Sequence, residues 1–505
     1  MIFWALAFCS AMTGSVTVTV RPGRVPKAKR VIVTSASGLV EGMDPRRVTV
    51  VGNTSCIDPL THPVLRAVSE RYKEGSRPGA RRSSDKMRIA LAIEGGGMRG
   101  CVAAGATAAL QFLGLSDVID AVYGASAGSM VGAYFVARQF AATSIYHDIL
   151  TQAGRPFIDK RQLLSALGLA LSPAARGEDS TVFNLDFLLD EVMATHQKLD
   201  LPVFASNSAH MSLCVATSSL ASLEPVPLQC GAGGEVGTST NMTALLQCIR
   251  ASMNVPGITG RLLGVTASRR IPFPVPDNEK KGRVGQGKED DVEERERERP
   301  EIGGMEHDGE EVEPLADACI SEPMPYRSAV KHGATHVIVL RTRPDPCPVL
   351  GRGPGLFERV ICRRFFRKHK CAAAARYVER QRHQVVYAED VALLNDAARG
   401  PAEGVTVGGH AGVHLLPVAP PASASEVSQL ETRQAKILAG MRDGARRTLE
   451  LFLPAVAPDT HLSPSLIEDL VLSIFPDKIL TDPAHHVALD QYRTVSTLTS
   501  GEFIR

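Results

Sequence analysis

The chain has 505 residues, of which 44% are hydrophobic and 22% charged, and its formal net charge is +2. This length accommodates two or three domains with a large buried core, and the composition is that of an ordinary globular protein. A net charge so close to zero excludes recruitment of nucleic acid or anionic membrane by a global field, so any electrostatic binding has to be local. The ten cysteines form no CxxC pair, which argues against a disulfide scaffold or a zinc site and indicates reduced, buried thiols in a reducing compartment.

Residues 1–20 contain the one candidate for a targeting signal. The apolar run MIFWALAFCSAM has the length of a signal-peptide core, but no positively charged segment precedes it. It is short for a membrane span, and no later segment reaches about 18 uninterrupted apolar residues. A cleaved signal, a signal anchor and an incorrect start site all stay open, and we expect a cytoplasmic protein with peripheral membrane association. Up to residue 86 the polar, Gly/Pro-rich sequence predicts a loosely ordered N-terminal region.

Residues 88–345 alternate strand and helix patterns. RIALAI predicts a strand, which is followed by the glycine loop EGGGMRG and an Ala-rich helix, and AVYGAS predicts a second strand with a helix directly after it. Further along, TVFNLDFLLDEVMATH and TALLQCIRASMNVPGI predict helices, whereas MSLCVATSS and THVIVLRTR predict buried strands. This alternation predicts an α/β fold with a mainly parallel sheet flanked by helices on both faces.

Two further segments differ in composition from this domain. Residues 276–313 are rich in charge and glycine and have no apolar face, which predicts a disordered insertion. Residues 346–505 are predicted to form a mostly helical C-terminal region. Its segment FERVICRRFFRKHKCAAAARYVERQR is typical either of a membrane-surface helix or of a solvated helix with a buried Phe stripe. Basic runs of this kind also bind RNA nonspecifically, but no RNA-binding signature accompanies this one.

The glycine loop matches a dinucleotide-binding fingerprint at Gly95, Gly97 and Gly100, between a strand and a helix as that motif requires. A phosphate would then lie on free backbone N–H groups at the helix N-terminus. The fingerprint also requires an acidic residue at the end of the second strand. The two acidic residues in range, Asp117 and Asp120, both precede that strand, so dinucleotide binding is the weaker alternative.

Where the second strand ends, the sequence has GASAG at residues 124–128. A GxSxG between a strand and a helix is the pattern of a nucleophile elbow, in which small neighbours let a substrate approach a serine held in a strained turn. The pattern is weak by itself, because tight turns of small residues before Ala-rich helices are common. An ester attacked by Ser126 would develop an oxyanion, and the N–H groups of Gly95, Gly96 and Gly97 could supply the donors it needs.

The order of these motifs resembles that of the patatin-like phospholipase domain. That family's pattern is a GGGxR[GK] oxyanion loop, a GxSxG elbow and a distant DG[AG] aspartate, and IRASMNVPGI and EPMPYRSAVKHGATHVIVLRTRP are similar to parts of the same domain. The resemblance covers roughly residues 88–343 without the charged insertion. It implies a three-layer α/β/α fold and a serine lipid acyl hydrolase that uses a Ser-Asp dyad on phospholipids, acylglycerols or galactolipids. It implies no metal and no organic cofactor, and a lipid substrate at a membrane or lipid-droplet surface.

The resemblance makes Asp317 the candidate for the dyad aspartate, between ASMNVPGI and EPMPYRS. The family has glycine at the next position, and Ala318 would be strained there if the loop requires a positive φ. A catalytically silent, lipid-binding protein therefore stays open as an alternative. The expected site residues are the catalytic Ser126 and Asp317, the oxyanion-hole residues Gly95, Gly96 and Gly97, the elbow glycines Gly124 and Gly128, and the loop-supporting Arg99 and Gly100.

A Ser-His-Asp triad is the rival hydrolase interpretation, since in α/β-hydrolases a histidine follows the acid. The histidines beyond Asp317 that could serve are His332, His336, His383, His410 and His414. The first two fall between a predicted helix and strand, where a structural role is expected, and no local pattern supports the other three.

Overall fold

The computed structural model describes residues 31–36, 48–140, 145–151, 157–159, 162, 181–231, 241–268, 271–275, 306–307, 310–346, 348–349 and 357–477. The targeting candidate at residues 1–20 lies outside these ranges, as do residues 276–305 and 308–309 of the charged insertion, so for these residues the interpretations remain predictions. Residues 306–307 and 310–311, which were also predicted to belong to the disordered insertion, pair as two short strands, and a further strand begins at Glu313. In the described part of the chain, no helix combines the length and apolar character that a bilayer span requires.

The strands of the described residues are short and mostly buried. In chain order they are β1 (Val31–Val33), β2 (Val48–Val51), β3 (Ile89–Ile93), β4 (Ala121–Ala125), β5 (Ser212–Ser219), β6 (Pro225–Cys230), β7 (Leu263–Val265), β8 (Phe273–Pro274), β9 (Glu306–His307), β10 (Glu310–Glu311), β11 (Glu313–Asp317), β12 (His336–Leu340), β13 (Pro348–Val349), β14 (Val405–Val407) and β15 (His410–Val418).

The α-helices are α1 (Pro63–Lys73), α2 (Cys101–Phe112), α3 (Ala127–Val136), α4 (Leu201–Ser208), α5 (Met242–Ser252), α6 (Tyr326–Lys331), α7 (Arg363–Lys368), α8 (Ala372–Glu379), α9 (Arg382–Ala397), α10 (Gln434–Val456) and α11 (Pro464–Ile474). Short 3₁₀ turns span Gly97–Gly100 and Leu115–Val118, and wider π-type turns span Ile145–Ile149, Phe187–His196 and Phe357–Cys362.

The central sheet has the strand order β14-β15-β12-β3-β4-β5-β11-β7-β8, and β6 joins it beside β5. The five strands β15, β12, β3, β4 and β5 run parallel to one another. Antiparallel strands extend this core at both ends: β14 pairs with β15, and β6 and β11 each pair with β5. Beyond β11 follow β7 and then β8. The predicted α/β fold with a parallel core is confirmed, and the antiparallel flanks are an addition that the sequence pattern did not indicate.

Strand β3 shows why the sheet lies in the middle of three layers. Ile89, Leu91 and Ile93 pack in the larger core, together with residues of α1, α2, α3, α5 and α10. Ala90 and Ala92 point the other way and pack with residues of α6 and α9. Since side chains alternate between the faces of a sheet and both faces are covered here, the strand is an unbroken apolar run.

Residues beyond 345 share this core. β15 lies beside β12 in the central sheet, and α10 packs so closely on α2 that their backbones touch. A Cβ on Gly105 would lie 2.0 Å from the carbonyl oxygen of Met441, and one on Gly444 would lie 2.0 Å from that of Val102. The central sheet and its helical layer therefore both extend across the domain boundary that was predicted after residue 345.

The N-terminal region also contributes to the core, through α1. Its Arg71 is 1% exposed and donates hydrogen bonds to Asp85 at 2.8 Å and to Asp120 at 2.6 Å. Residues 48–86 thus contain packed structure that the polar, Gly/Pro-rich sequence did not predict.

Candidate active site

Ser126 occupies the sharp turn between β4 and α3, with φ 50° and ψ −122°. A residue other than glycine rarely adopts a positive φ, and holding it there costs about 1–3 kcal/mol. The neighbouring glycines leave the space that this turn needs. A Cβ on Gly124 would lie 2.5 Å from the carbonyl oxygen of Gly128, and one on Gly128 would lie 2.4 Å from that of Ile93. The small residues of GASAG therefore explain locally why the chain can present a serine here.

Asp317 lies directly against this serine, although 191 positions separate the two residues. The hydroxyl of Ser126 donates a hydrogen bond of 2.6 Å to the Oδ2 atom of Asp317. The sheet brings them together, because β11 runs antiparallel to β5 and places Asp317 opposite Thr217. The preceding residue of β5, Ala216, pairs with Ala125, which is the last residue before the turn.

The carboxylate of Asp317 is 1% exposed and is held on several sides. Its Oδ1 atom accepts the N–H of Cys319 at 2.8 Å, and its own N–H donates to the carbonyl oxygen of Asn254 at 2.9 Å. The hydroxyl of Ser218 donates to the Asp317 carbonyl oxygen at 2.9 Å. Burial raises the pKa of the Asp317 carboxyl above its ordinary value, although the hydrogen bonds from Ser126 and Cys319 oppose that rise.

Ala318 fits the loop without the strain considered for it. Its φ is not positive, and its side chain is fully buried against Ala125 and Ala216. The methyl group fills a small apolar space behind the turn. This position therefore has no conformational requirement for glycine in this chain.

The glycine loop follows β3 and contacts the elbow. A Cβ on Gly95 would lie 2.8 Å from the carbonyl oxygen of Ala125 and 2.9 Å from the Cβ of Ser126, so no larger residue fits. Gly96 and Gly97 have φ values of 149° and 58°, which favour glycine. The N–H groups of these three glycines donate to no acceptor among the described residues. The loop thus has three half-buried glycines whose amides have no acceptor in the described chain, and Gly95 is the one that contacts Ser126.

Buried polar side chains hold the start of this loop. Glu94 is 2% exposed and accepts the backbone N–H of Thr342, and it accepts the hydroxyl of Tyr387 at 2.8 Å. The hydroxyl of Thr342 donates to the carbonyl oxygen of Gly95 at 3.2 Å. Two residues distant in sequence therefore fix the backbone that enters the loop.

Arg99 and Gly100 hold its far end. Arg99 is 6% exposed, and it donates to the hydroxyl of Thr342 and to the carboxylate of Glu426, both at 3.1 Å. A Cβ on Gly100 would lie 2.2 Å from the hydroxyl oxygen of Tyr146. Arg99 is therefore buried and connects the loop to Thr342 and Glu426.

The comparison with known families covers the glycine loop and Ser126. A family model described as Patatin-like phospholipase matches residues 91–201. Over these residues the chain is similar to patatin-like phospholipases. The resemblance inferred from the motifs is thus confirmed, and with it a relationship to lipid acyl hydrolases. The matched residues include the glycine loop and Ser126 and end before Asp317. No curated protein matches the chain significantly.

Several residues around the candidate site were not found from the sequence. The N–H of Ser126 donates to the hydroxyl of Ser252 at 2.8 Å, and that hydroxyl donates to the carbonyl oxygen of Ala216. Ser252 lies within the segment IRASMNVPGI, so a search for polar residues at the end of α5 could have found it. Tyr387 and Glu426 lie far along the chain and have no local pattern that would indicate their contacts.

Asp120, which was considered for a dinucleotide, lies away from the glycine loop. Asp120 accepts hydrogen bonds from Arg71, from Arg81 at 2.9 Å and from the N–H of Ile89 at 2.8 Å. Ile89 is the first residue of β3, so Asp120 lies at the end of the sheet opposite the glycine loop. Asp120 therefore cannot be the acidic partner of a ribose bound beside that loop.

The candidate histidines also lie away from Ser126. His336 and His414 face each other across β12 and β15, with ring centroids 5.0 Å apart, at the strand ends opposite the elbow. His332 is 3.1 Å from the hydroxyl of Tyr123. His383 lies in α9 and His410 begins β15. No histidine of the described chain forms a hydrogen bond to Ser126, which argues against a Ser-His-Asp triad.

Proposed function

We propose that this chain is a serine lipid acyl hydrolase in which Ser126 and Asp317 form the catalytic dyad. The observation that carries the proposal is the 2.6 Å hydrogen bond from the Ser126 hydroxyl to the buried Asp317 carboxylate. A relationship to lipid acyl hydrolases makes an acyl ester the substrate class to expect. Phospholipids or acylglycerols at a membrane or lipid-droplet surface are the specific substrates we propose.

The chemistry follows from this pair. As Ser126 Oγ attacks the ester carbonyl carbon, Asp317 takes the hydroxyl proton and a tetrahedral oxyanion forms. Collapse of this intermediate breaks the ester bond, and the proton passes from Asp317 to the departing alcohol. A water molecule then gives its proton to Asp317 and attacks the acyl-enzyme, which releases the fatty acid and restores the Ser126 hydroxyl.

The environment of Asp317 suits a general base. A carboxylate in water, with a pKa near 3.9, is too weak a base to activate a hydroxyl efficiently at neutral pH. Burial raises the pKa of Asp317, because the charged form loses its hydration. The hydrogen bond from Cys319 occupies Oδ1 and leaves Oδ2 directed at Ser126.

The oxyanion would be bound by the amides of Gly95, Gly96 and Gly97. Fixed backbone donors stabilise a developing oxyanion strongly because they need no reorganisation during the reaction. The support for this assignment is that all three amides lack an acceptor in the described chain and that Gly95 contacts the elbow. The N–H of Ser126 is already bonded to Ser252 and is not a free donor.

A fluorophosphonate probe tests the nucleophile. The wild-type chain should be labelled at Ser126 and should hydrolyse acyl esters, whereas Ser126→Ala should lose labelling and at least about 10³-fold in kcat while staying folded. Ser222→Ala, on the exposed turn between β5 and β6, is the matched control and should change neither. Activity retained in Ser126→Ala would refute the dyad. A wild-type chain without turnover or labelling would instead indicate the catalytically silent, lipid-binding alternative.

A further inference from the structure

The segment from residue 357 to residue 382 carries nine arginines and lysines and two glutamates. It forms the π-type turn Phe357–Cys362, α7, α8 and the first residue of α9. All nine basic residues are exposed: Arg359, Arg363, Arg364, Arg367, Lys368, Lys370, Arg376, Arg380 and Arg382. We call these nine residues the basic surface. Arg363 forms an ion pair with Glu379 at 3.2 Å, so the surface keeps a large excess of positive charge.

The two adjacent phenylalanines of this segment point inward. Phe365 is 9% exposed and Phe366 is fully buried, in an apolar cluster with Cys362, Cys371 and Val378. The basic and the apolar residues thus occupy opposite sides of the segment. Because Phe365 and Phe366 are committed to the protein core, the side of α7 that faces solvent is basic.

The same apolar cluster connects the basic surface to the proposed active site. It includes Ala316 and Ile320, which flank the dyad residue Asp317. In addition, Ile361 lies against Gly257, since a Cβ on Gly257 would be 2.7 Å from the side chain of Ile361. Gly257 lies three residues after Asn254, whose carbonyl oxygen accepts the Asp317 N–H. The segment that carries the basic surface therefore packs directly against β11 and against the loop after α5, and these two hold Asp317.

We propose that the basic surface docks this protein on bilayers that contain anionic lipids, and so presents the Ser126–Asp317 site to its substrate. The inference rests on the proposed function. Each Lys or Arg near an anionic bilayer contributes about 1 kcal/mol of attraction, which falls off within a Debye length of about 8 Å at physiological salt. The chain's net charge of +2 attracts no bilayer by itself, so a local concentration of cations is required.

Two features favour a bilayer over RNA as the partner. Binding of single-stranded nucleic acid combines a basic groove with exposed aromatic side chains on which bases stack. Here Phe365 and Phe366 are buried, and Tyr377 is half-buried within the same apolar packing. The surface is also joined to a site for which a lipid is the proposed substrate.

Vesicle co-sedimentation of the full chain tests the docking separately from catalysis, with Ser126→Ala as the parent so that no lipid is consumed. The parent should bind phosphatidylcholine vesicles that contain phosphatidylserine and should be released at high ionic strength. Joint replacement of Arg364, Arg367, Lys368 and Arg376 by Gln should weaken this binding at least about tenfold. The matched control replaces Lys73, Lys86, Arg88 and Lys331 by Gln, which removes the same charge at the opposite end of the sheet and should preserve binding.

The active chain with the same four substitutions at the basic surface should hydrolyse a water-soluble short-chain ester at the unsubstituted rate but vesicle lipid more slowly. Unchanged vesicle binding by that variant, or equal binding of the parent to vesicles of phosphatidylcholine alone, would overturn the proposal. Loss of binding to an unstructured RNA with vesicle binding retained would assign the surface to RNA instead. If the dyad proposal is wrong, Ser126→Ala keeps its activity, and the effect of the four substitutions on vesicle binding can still be read.

Discussion

The two halves of the proposed site are held in different ways. The glycine loop and Ser126 leave the carboxyl ends of two adjacent parallel strands, β3 and β4, within 35 residues of each other. Asp317 arrives on β11, from the antiparallel flank. The loop is fixed by buried polar side chains, of which Glu94 and Arg99 are the centre. Asp317 is fixed by backbone hydrogen bonds and by the close packing of the residue after it.

This difference indicates where each half is sensitive. The loop depends on individual hydroxyl and carboxylate groups supplied by distant parts of the chain, so loss of one polar atom should disturb it. The aspartate depends on the space around Ala318, so a change in volume should disturb it. Substitutions around the glycine loop therefore test the polar support, and substitutions beside Asp317 test the packing.

The largest effect is expected for Asp317→Asn. The amide cannot accept the Ser126 proton, so kcat should fall at least about 10³-fold. The free energy of unfolding should not fall at pH 7, because the substitution removes a buried charge and an amide oxygen can still accept the Cys319 N–H. Steady-state kinetics and chemical denaturation measure the two quantities. Full activity in the variant would assign the base elsewhere.

The pH dependence of the wild type sharpens this test. Since the pKa of Asp317 is raised above 3.8 in the folded chain, the acid limb of kcat/KM should have its midpoint above that value. Between 3.8 and the raised pKa the folded state binds more protons than the unfolded state, so this group lowers stability as pH rises through that window. The difference in stability between the wild type and Asp317→Asn should therefore shrink as the pH falls through this window.

A smaller effect is expected for Ala318→Val. Two extra methyl groups must enter the space shared with Ala125 and Ala216, which overpacks it at a cost of about 1–3 kcal/mol. Displacement of Asp317 should then lower kcat at least about tenfold. Ala318→Gly is the control and should keep kcat within about threefold, because it empties little volume and adds no clash. Equal kinetics for the two variants would show that volume at this position does not control the aspartate.

The smallest effect is expected for Tyr387→Phe. Loss of the hydroxyl leaves the buried Glu94 carboxylate with one hydrogen-bond donor fewer, which should cost about 1–3 kcal/mol of stability. The glycine loop should lose part of its preorganisation, so kcat should fall about five- to tenfold with KM little changed. Tyr377→Phe, on α8, is the matched control. A change confined to stability, with kcat unaltered, would limit Tyr387 to a structural role.

The sequence by itself determined the parts of this protein that depend on neighbouring residues. The apolar runs at 89–93 and 121–125 predicted the central strands, and GASAG predicted a tight turn, because a sharp strand-to-helix turn requires small residues within a few positions. The location of Asp317 as a candidate came from the resemblance, since no local pattern marks an aspartate as a base.

Only the tertiary structure decided which distant residues meet. Pairing of β11 with β5 brought Asp317 within 2.6 Å of Ser126, and packing of α9 brought Tyr387 to Glu94, across 293 positions of sequence. No sequence pattern indicated that β15 joins the sheet or that Ala318 fits between Ala125 and Ala216. Local propensity acts over a few residues, whereas strand order and buried polar contacts arise from the packing of the whole chain.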